Sequence, residues 1–288
     1  MNVKITGFAD EIAPELEKQI AGLKGLGMSY VEMRGVDGNN LIYHTDEKVA
    51  QIKKTLEENG IRLSALGSPL GKIQITDDFA PHYEEFKRAV EIAHKMDCST
   101  IRMFSFYLPQ GSDPSVYEGE VIDRLGKFVD YATANDVLLL HENEKEIYGA
   151  LAPECKKLMD TFYGEHFKAI FDFANFVQCG QDTLEAYEML KPYIVYIHVK
   201  DALKADQSVV PAGYGDGNVA AILKDLLASG FDGFLSLEPH LFDFAGFHVL
   251  EKDGKSMAGK EQEKKVLSGL EAFTVAHEAL VKILKGME

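Results

Sequence analysis

The chain has 288 residues, of which 46% are hydrophobic, so it can bury a large core as one large α/β domain or as two smaller ones. Its formal net charge is −16, from 46 acidic and 30 basic side chains. That charge repels phosphate backbones and acidic membrane surfaces, so we expect no nucleic-acid partner. No run approaches the roughly 20 apolar residues that a membrane span requires, so we expect no membrane partner either.

The cysteines and the first residues bear on the cellular compartment. Cys98, Cys155 and Cys179 are far apart and form no CxxC pair, so they suggest no disulfide framework. The opening residues MNVKITGFADEI alternate like a first strand and lack the apolar stretch of a secretory signal. We therefore expect a cytoplasmic protein.

Strand-like runs alternate with helix-like runs along the whole chain. Eight short runs are rich in β-branched or aromatic residues and nearly continuously apolar, as strands covered on both faces should be. These predicted strands span residues 3–9, 30–36, 61–68, 100–107, 137–144, 168–175, 193–202 and 234–241. Amphipathic segments predict helices over residues 13–26, 45–58 (with Thr45 as cap), 81–95, 121–134, 153–162, 183–190, 219–228 and 263–284.

The strict alternation predicts a parallel sheet with right-handed crossovers. Eight such units in 288 residues have the size of a (β/α)₈ TIM barrel, so the predicted fold is one α/β TIM-barrel domain over residues 1–288. The alternative is an open doubly wound sheet. No GxGxxG follows the first strand, and this favours the barrel.

Each of the last four predicted strands ends at or near a side chain that can bind a metal ion. These side chains are Glu142 in VLLLHENE, Asp172 in AIFDF, His198 in VYIHVKD and Glu238 in LSLEPH. A carboxylate on a buried strand is costly unless it is paired, and strand ends converge at the mouth of a barrel. Singly, each residue reads as a helix cap or a loop residue, but the four together predict a site for one divalent ion. Mn²⁺ is the first choice, with Mg²⁺, Co²⁺ and Zn²⁺ as alternatives.

Further polar residues near the strand ends are candidates for substrate binding. Glu32 either contacts the substrate or forms a surface ion pair with Arg34. Lys72, on the loop after the third strand, either binds a hydroxyl or phosphate oxygen or is solvated. Lys200 either orients a ligand or faces solvent.

Other residues have structural as well as functional interpretations. Arg102 lies inside the fourth strand and needs a carboxylate partner, while His141 should face away from Glu142. The glycine-rich segment 211–217 offers backbone N–H groups for a hydroxyl or an anion, or is an ordinary turn. The long segment 241–260 covers the substrate or packs against another subunit.

The segments HENE, FDFANF, IHVKDA, PAGYGDG and SLEPH, in this order, resemble the xylose isomerase-like barrel superfamily, and within it the sugar-phosphate isomerase/epimerase type. The resemblance covers nearly the whole chain. It implies that Glu142, Asp172, His198 and Glu238 bind one divalent metal ion. It also implies that Glu142 and Glu238 remove and return a proton on a ketose or related polyol through an enediolate-type intermediate. A homodimer is a further expectation from the resemblance.

The chain departs from the ketose 3-epimerases of that family at three sugar-binding positions. Tyr148, Asn175 and Lys204 stand where those enzymes carry Glu, His and Arg; Asn175 and Lys204 are kept as substrate-binding candidates. An inosose dehydratase-like lyase and a non-catalytic sugar-binding barrel are therefore alternatives. The AP endonuclease branch is disfavoured, because the ends of predicted strands two to four carry none of its additional histidines.

Overall fold

Eight parallel strands form the centre of the fold. The computed structural model describes residues 3–241 and 267–287. The strands are β1 Lys4–Gly7, β2 Tyr30–Met33, β3 Arg62–Gly67, β4 Thr100–Met103, β5 Leu138–Glu142, β6 Phe167–Asp172, β7 Ile194–Val199 and β8 Phe234–Leu237. Their hydrogen-bonded order is β1-β8-β7-β6-β5-β4-β3-β2, and β1 packs beside β2. The sheet is thus a nearly closed barrel, which confirms the predicted TIM-barrel fold.

Helices surround this barrel. They are α1 Leu16–Gly25, α2 Asp46–Glu58, α3 Phe79–Lys95, α4 Glu118–Ala134, α5 Ala152–Phe162, α6 Phe173–Gln178, α7 Thr183–Leu190, α8 Val219–Ala228 and α9 Gly269–Lys285. The Thr45 side chain caps α2 as predicted, by accepting a hydrogen bond from the backbone of Lys48. Within residues 3–241 and 267–287, none of the helices has both the length and the apolar composition needed to cross a membrane.

Several element boundaries differ from the sequence-based prediction. The predicted strand 168–175 ends at Asp172, because the Asp172 side chain accepts a hydrogen bond from the Asn175 backbone and begins α6. Helix α3 begins two residues before the predicted start, because Asp78 caps it. The start of the predicted helix 263–284 and most of segment 241–260 lie outside the described residues.

Strand periodicity places the site residues on the inner face of the barrel. Leu140, Ile170 and Tyr196, together with Ala65, form a small buried apolar cluster. Residues two apart on a strand share a face, so Glu142, Asp172 and His198 lie one step further toward the carboxyl ends of β5, β6 and β7 on that same face. The apolar cluster therefore forms the floor on which the site is built.

Candidate metal centre

Four side chains meet at the carboxyl ends of the last four strands. Glu142 ends β5, Asp172 ends β6, His198 lies near the end of β7 and Glu238 directly follows β8. One ligand atom from each of them lies within 4.8 Å of the others, and all four are buried. Three carboxylates and one imidazole make a donor set that suits a divalent cation with mostly oxygen ligands.

The donor atoms of the cluster face one another. His198 Nδ1 lies 2.9 Å from Glu142 Oε1 and 3.7 Å from Glu238 Oε2. Asp172 pairs with His198 in the register of β6 and β7. Its Oδ2 atom is buried and has no hydrogen-bond partner among the described residues, although Lys200 Nζ lies 3.2 Å away. This oxygen makes an ion pair but no hydrogen bond, so it can still bind a cation, and the donor set fits a divalent ion.

An arginine holds the second oxygen of each glutamate. Arg102 donates to Glu142 Oε2 at 3.0 Å, and Arg34 donates to Glu238 Oε1 at 3.2 Å. The Phe8 ring contacts both guanidinium groups, whose Cζ atoms lie 4.3 Å (Arg34) and 4.9 Å (Arg102) from its centroid. These contacts fix the direction in which the two carboxylates point.

Lys200 lies inside the cluster with its side chain only 4% exposed. Its ammonium group is 2.9 Å from Glu238 Oε2 and 3.2 Å from Asp172 Oδ2. Burial alone would lower the pKa of Lys200, but the carboxylates around it, Asp172 and Glu238 foremost, raise that pKa well above its ordinary value. The carboxylates of the cluster therefore favour the charged form of Lys200.

The same electrostatic balance acts on two of the carboxylates. Burial raises the pKa of Asp172 to about 7, against the attraction of Lys200. Burial would also raise the pKa of Glu238, but nearby positive groups, Lys200 first, hold it well below its ordinary value.

Glu32, a predicted substrate-binding residue, contacts His198. Its carboxylate oxygens lie 3.1 and 3.3 Å from His198 Nε2. Tyr196 Oη and Ser236 Oγ donate to Glu32 Oε2 at 3.0 and 2.6 Å, and the Glu32 side chain is fully buried. Because Tyr196 and Ser236 precede the site residues on β7 and β8, Glu32 lies on the floor of the site and not at its open mouth.

Asn175 also has its partners inside the protein. Its side-chain amide donates to the Asn143 carbonyl at 2.9 Å and to Glu142 Oε1 at 3.4 Å. Asn143 in turn exchanges two hydrogen bonds with the backbone of Asp172, at 2.9 and 3.0 Å. The sequence-based prediction missed Asn143, whose side chain ties the end of β5 to the end of β6.

The two other lysine candidates lie in different environments. Lys72 Nζ is 3.0 Å from Glu144 Oε2 and 4.3 Å from the Phe104 ring centroid, with its side chain 11% exposed. Burial opposes ionisation of Glu144, but Lys72 first and then Lys200 lower its pKa to about 2. The Phe104 ring also contacts Arg102, whose Cζ lies 4.7 Å from its centroid, so the pair lies beside the arginine that holds Glu142. Lys204 is 51% exposed and lies 3.9 Å from Asp182, so the structure does not bring it to the cluster.

The first strand contributes a residue that the sequence-based prediction missed. Glu11, soon after β1, lies beside Arg34, and His240 Nε2 is 3.5 Å from Glu11 Oε1 and 3.4 Å from Glu238 Oε1. Burial raises the pKa of Glu11 to about 8, although Arg34 lowers it. The acidic pair Asp10-Glu11, three residues after the end of β1, could have indicated this position, because β1 adjoins β8 in a closed barrel.

The backbone N–H groups of the glycine-rich segment 211–217 form hydrogen bonds with a side chain of this same chain. The Asp201 carboxylate accepts hydrogen bonds from the backbone N–H groups of Gly213, Gly215 and Gly217, at 2.9, 3.0 and 2.9 Å. A Cβ atom at Gly215 would lie 2.4 Å from Asp201 Oδ1. The N–H groups considered for a hydroxyl or an anion therefore bind Asp201.

Family comparison agrees with this architecture. A family model described as xylose isomerase-like TIM barrel matches residues 20–264. The chain belongs to this family. A 3-dehydroshikimate dehydratase of Bacillus anthracis is 19% identical over 180 residues, and YihM of Escherichia coli K12 is 24% identical over 188 residues. These matches cover 62% and 59% of this chain, but only 64% and 53% of the relatives' own lengths.

Solved structures resemble the barrel over almost its whole length. An IolI protein with a bound zinc atom superposes with a TM-score of 0.76 at 16% identity, covering 99% of both chains. A D-psicose 3-epimerase studied with D-fructose gives 0.72 at 17%, again covering 99% of both. A xylose isomerase-like protein of Mycobacterium smegmatis in complex with magnesium gives 0.66 at 16%, covering 99% of this chain and 97% of its own. At these identities the likeness establishes the fold.

Proposed function

We propose that this family member is a divalent-metal-dependent isomerase or epimerase that transfers a proton at a carbon next to the carbonyl group of a ketose or related polyol. The observation that carries the proposal is the buried cluster of Glu142, Asp172, His198 and Glu238, with ligand atoms within 4.8 Å of one another. We propose these four as the metal ligands, and Glu142 and Glu238 also as the catalytic residues.

The donor set favours Mn²⁺ as the first choice, with Mg²⁺, Co²⁺ and Zn²⁺ as alternatives. The zinc and magnesium bound by two of the similar structures are consistent with this range. When bound, such an ion polarises a substrate carbonyl and orients its neighbouring oxygen. The predictions of a cytoplasmic location and of a homodimer stay predictions.

The two glutamates can exchange a proton with the substrate. Each carboxylate has one oxygen on the His198 side and one oxygen held by an arginine, Arg102 for Glu142 and Arg34 for Glu238. One glutamate takes the proton from the carbon next to the carbonyl, and the same or the other glutamate returns a proton to a carbon of the resulting enediolate. Arg34 favours the ionised form of Glu238, and each arginine fixes the direction in which its glutamate would present a base to the substrate.

The predicted substrate-binding residues differ in the contacts that they make within the protein, and these contacts support different roles. We propose that Lys200 and Lys72, whose ammonium groups lie at or beside the cluster, contact substrate oxygens. Asn175 is buried against Glu142, so we propose that it orients this ligand. The described contacts of Lys204 support no role in substrate binding.

A lyase is the second candidate, because a curated relative is named as a 3-dehydroshikimate dehydratase. One glutamate would again take the proton next to the carbonyl. The other would protonate the hydroxyl group that leaves from the adjacent carbon, so that water and a conjugated C=C bond form together. The chain carries Tyr148, Asn175 and Lys204 at three sugar-binding positions of the ketose 3-epimerases that it resembles, which keeps this alternative open.

Incubation in D₂O separates the candidates. The protein with Mn²⁺ is mixed with a panel of ketoses, aldoses and inososes, and products are followed by NMR, mass spectrometry and ultraviolet absorbance. An isomerase or epimerase incorporates deuterium at a carbon next to the carbonyl, whereas a dehydratase forms an absorbing enone.

Glu142→Gln and Glu238→Gln should each abolish the reaction, and Lys204→Met, at an exposed lysine, should preserve it. Tight Mn²⁺ binding together with sugar binding, but without exchange or water loss across the panel, would contradict both enzymatic candidates. That result would favour the non-catalytic sugar-binding barrel.

A further inference from the structure

The imidazole of His198 is held from its far side by a carboxylate that is outside the four-residue cluster. We propose that Glu32 is a positioning residue: it fixes the His198 ring so that Nδ1 presents its lone pair to the metal ion. The inference rests on the proposed function, because it concerns the same site. It assigns Glu32 a role other than the substrate contact expected from the sequence.

The two ring nitrogens of His198 face different groups. Nδ1 lies 2.9 Å from Glu142 Oε1, among the candidate ligands, and Nε2 lies 3.1 Å from Glu32 Oε2. The Phe8 and Tyr196 rings pack edge-on against the imidazole, at centroid distances of 5.2 and 5.8 Å. The ring is therefore confined in the orientation that directs Nδ1 toward the cluster.

The Glu32 carboxylate is itself fixed. Ser236 Oγ and Tyr196 Oη donate to its Oε2 atom at 2.6 and 3.0 Å. Tyr196 Oη is also 2.9 Å from Ser64 Oγ, so the anchoring hydroxyls belong to a buried network inside the barrel. This network holds the acceptor still, and a fixed acceptor fixes the ring that donates to it.

The chemistry of the acceptor decides where the imidazole proton lies. An ionised carboxylate can only accept hydrogen bonds, so Nε2 carries a proton toward Glu32. Nδ1 faces the Glu142 carboxylate, and a metal ion bound by Glu142 and His198 would take the place of a proton on Nδ1. With the proton on Nε2, Nδ1 keeps its lone pair for a metal ion, and the carboxylate makes the ring a stronger donor to that ion.

Glu32→Gln tests this role with a side chain of the same shape. If the amide nitrogen faces Nε2, the imidazole proton moves to Nδ1 and blocks the metal-binding lone pair. If the amide oxygen faces Nε2, the acceptor is neutral and the ring is a weaker ligand. In both cases we expect the affinity for Mn²⁺ and Zn²⁺, measured by calorimetry on the full chain, to fall roughly 10- to 100-fold.

A spectroscopic measurement separates positioning from loss of charge. In zinc-titrated protein with ¹⁵N-labelled histidine, the wild-type spectrum should show zinc at Nδ1 and a strongly hydrogen-bonded proton on Nε2. In Glu32→Gln this proton resonance should shift upfield or be replaced by a proton on Nδ1. Glu144→Gln removes a half-buried negative charge that interacts with Lys200; it should leave the His198 resonances unchanged and weaken metal binding less.

The outcomes distinguish the two proposals. If the wild-type protein binds neither ion, the proposed function fails and this inference fails with it. If the wild type binds metal and Glu32→Gln keeps both its affinity and its Nε2 proton resonance, only the role of Glu32 is overturned. Should Glu32→Gln not fold, Glu32→Asp keeps the charge but withdraws the acceptor from Nε2; wild-type affinity in that variant would equally overturn the role.

Discussion

The two halves of the barrel contribute differently to the candidate site. The second half, β5 to β8, supplies all four candidate ligands at or next to its strand ends. The first half, β1 to β4 with the residues that directly follow β1 and β2, supplies the groups that hold those ligands, namely Phe8, Glu32, Arg34 and Arg102. A donor set on one half therefore owes part of its geometry and charge balance to the other half, in addition to the contacts of Asn175 and Lys200 on its own half.

The largest expected effect tests the first half of the barrel, which supplies groups that hold the candidate ligands. Arg102→Met leaves the buried Glu142 carboxylate without its arginine, and breaking a buried ion pair typically costs roughly 3–5 kcal/mol. We expect the free energy of unfolding in EDTA, measured by urea denaturation, to fall by that amount. The control is Arg62→Met, at an exposed arginine that contacts Tyr30. Equal stability of the two variants would mean that the first half does not hold the ligands.

The next largest effect tests the second half of the barrel, which supplies the candidate ligands. Asp172→Asn changes a buried candidate ligand, whose Oδ2 atom lies 3.2 Å from Lys200 Nζ and makes no hydrogen bond in the described part of the chain. We expect calorimetry to show a loss of Mn²⁺ affinity larger than the roughly 10- to 100-fold typical of an outer partner. Glu165→Gln, at an exposed position, is the control. An affinity for Mn²⁺ within twofold of wild type would remove Asp172 from the ligand set.

Lys200 directly follows β7 and tests the charge balance of the site. Its ammonium group shares Glu238 and Asp172 with any bound cation. Because these like charges repel, we expect Lys200→Met to tighten Mn²⁺ binding about tenfold, equivalent to about 1.4 kcal/mol. The same variant should be less stable than wild type in EDTA. Lys204→Met should change neither property, and weaker Mn²⁺ binding in Lys200→Met would show that Lys200 supports the ion.

A further expected effect concerns the dependence of stability on pH. The pKa of Glu11 is raised from 4.5 to about 8, so the folded state binds its proton more tightly than the unfolded state. The resulting stability is fully present below pH 4.5 and is lost as the pH rises toward 8. Glu11→Gln should therefore reduce the decline in unfolding free energy between these values, measured by urea denaturation in EDTA. A decline as steep as that of wild type would contradict the pKa.

The sequence predicted the candidate ligands on the second half of the barrel better than the residues of the first half that hold them. Glu142, Asp172 and His198 could be located because each lies on a continuous apolar run, and strand periodicity fixes which face it shares. The contacts of Arg34 with Glu238 and of Glu11 with His240 could not, because they exist only once β1 and β8 pair and the barrel closes.

Local hydrogen bonds explain the errors in the elements. The apolar FDFANF reads as a continuing strand, yet the Asp172 side chain accepts from the Asn175 backbone and turns the chain into α6. Such a bond depends on how one carboxylate is oriented, and hydrophobic periodicity carries no information about that orientation. The same residue is thus a helix cap through one oxygen and a candidate ligand through the other.

Phe8 has a consequence for how this site can change during evolution. Its fully buried ring touches both guanidinium groups and the imidazole, and a Cβ atom on Gly67 would lie 2.7 Å from it. Substitutions at Arg34 and Arg102 should then be non-additive, since each alters the wall against which the other packs. Residues 8, 34, 67 and 102 should accordingly covary among homologues. A homologue without phenylalanine at position 8 should differ in both arginine–glutamate contacts, Arg34 with Glu238 and Arg102 with Glu142.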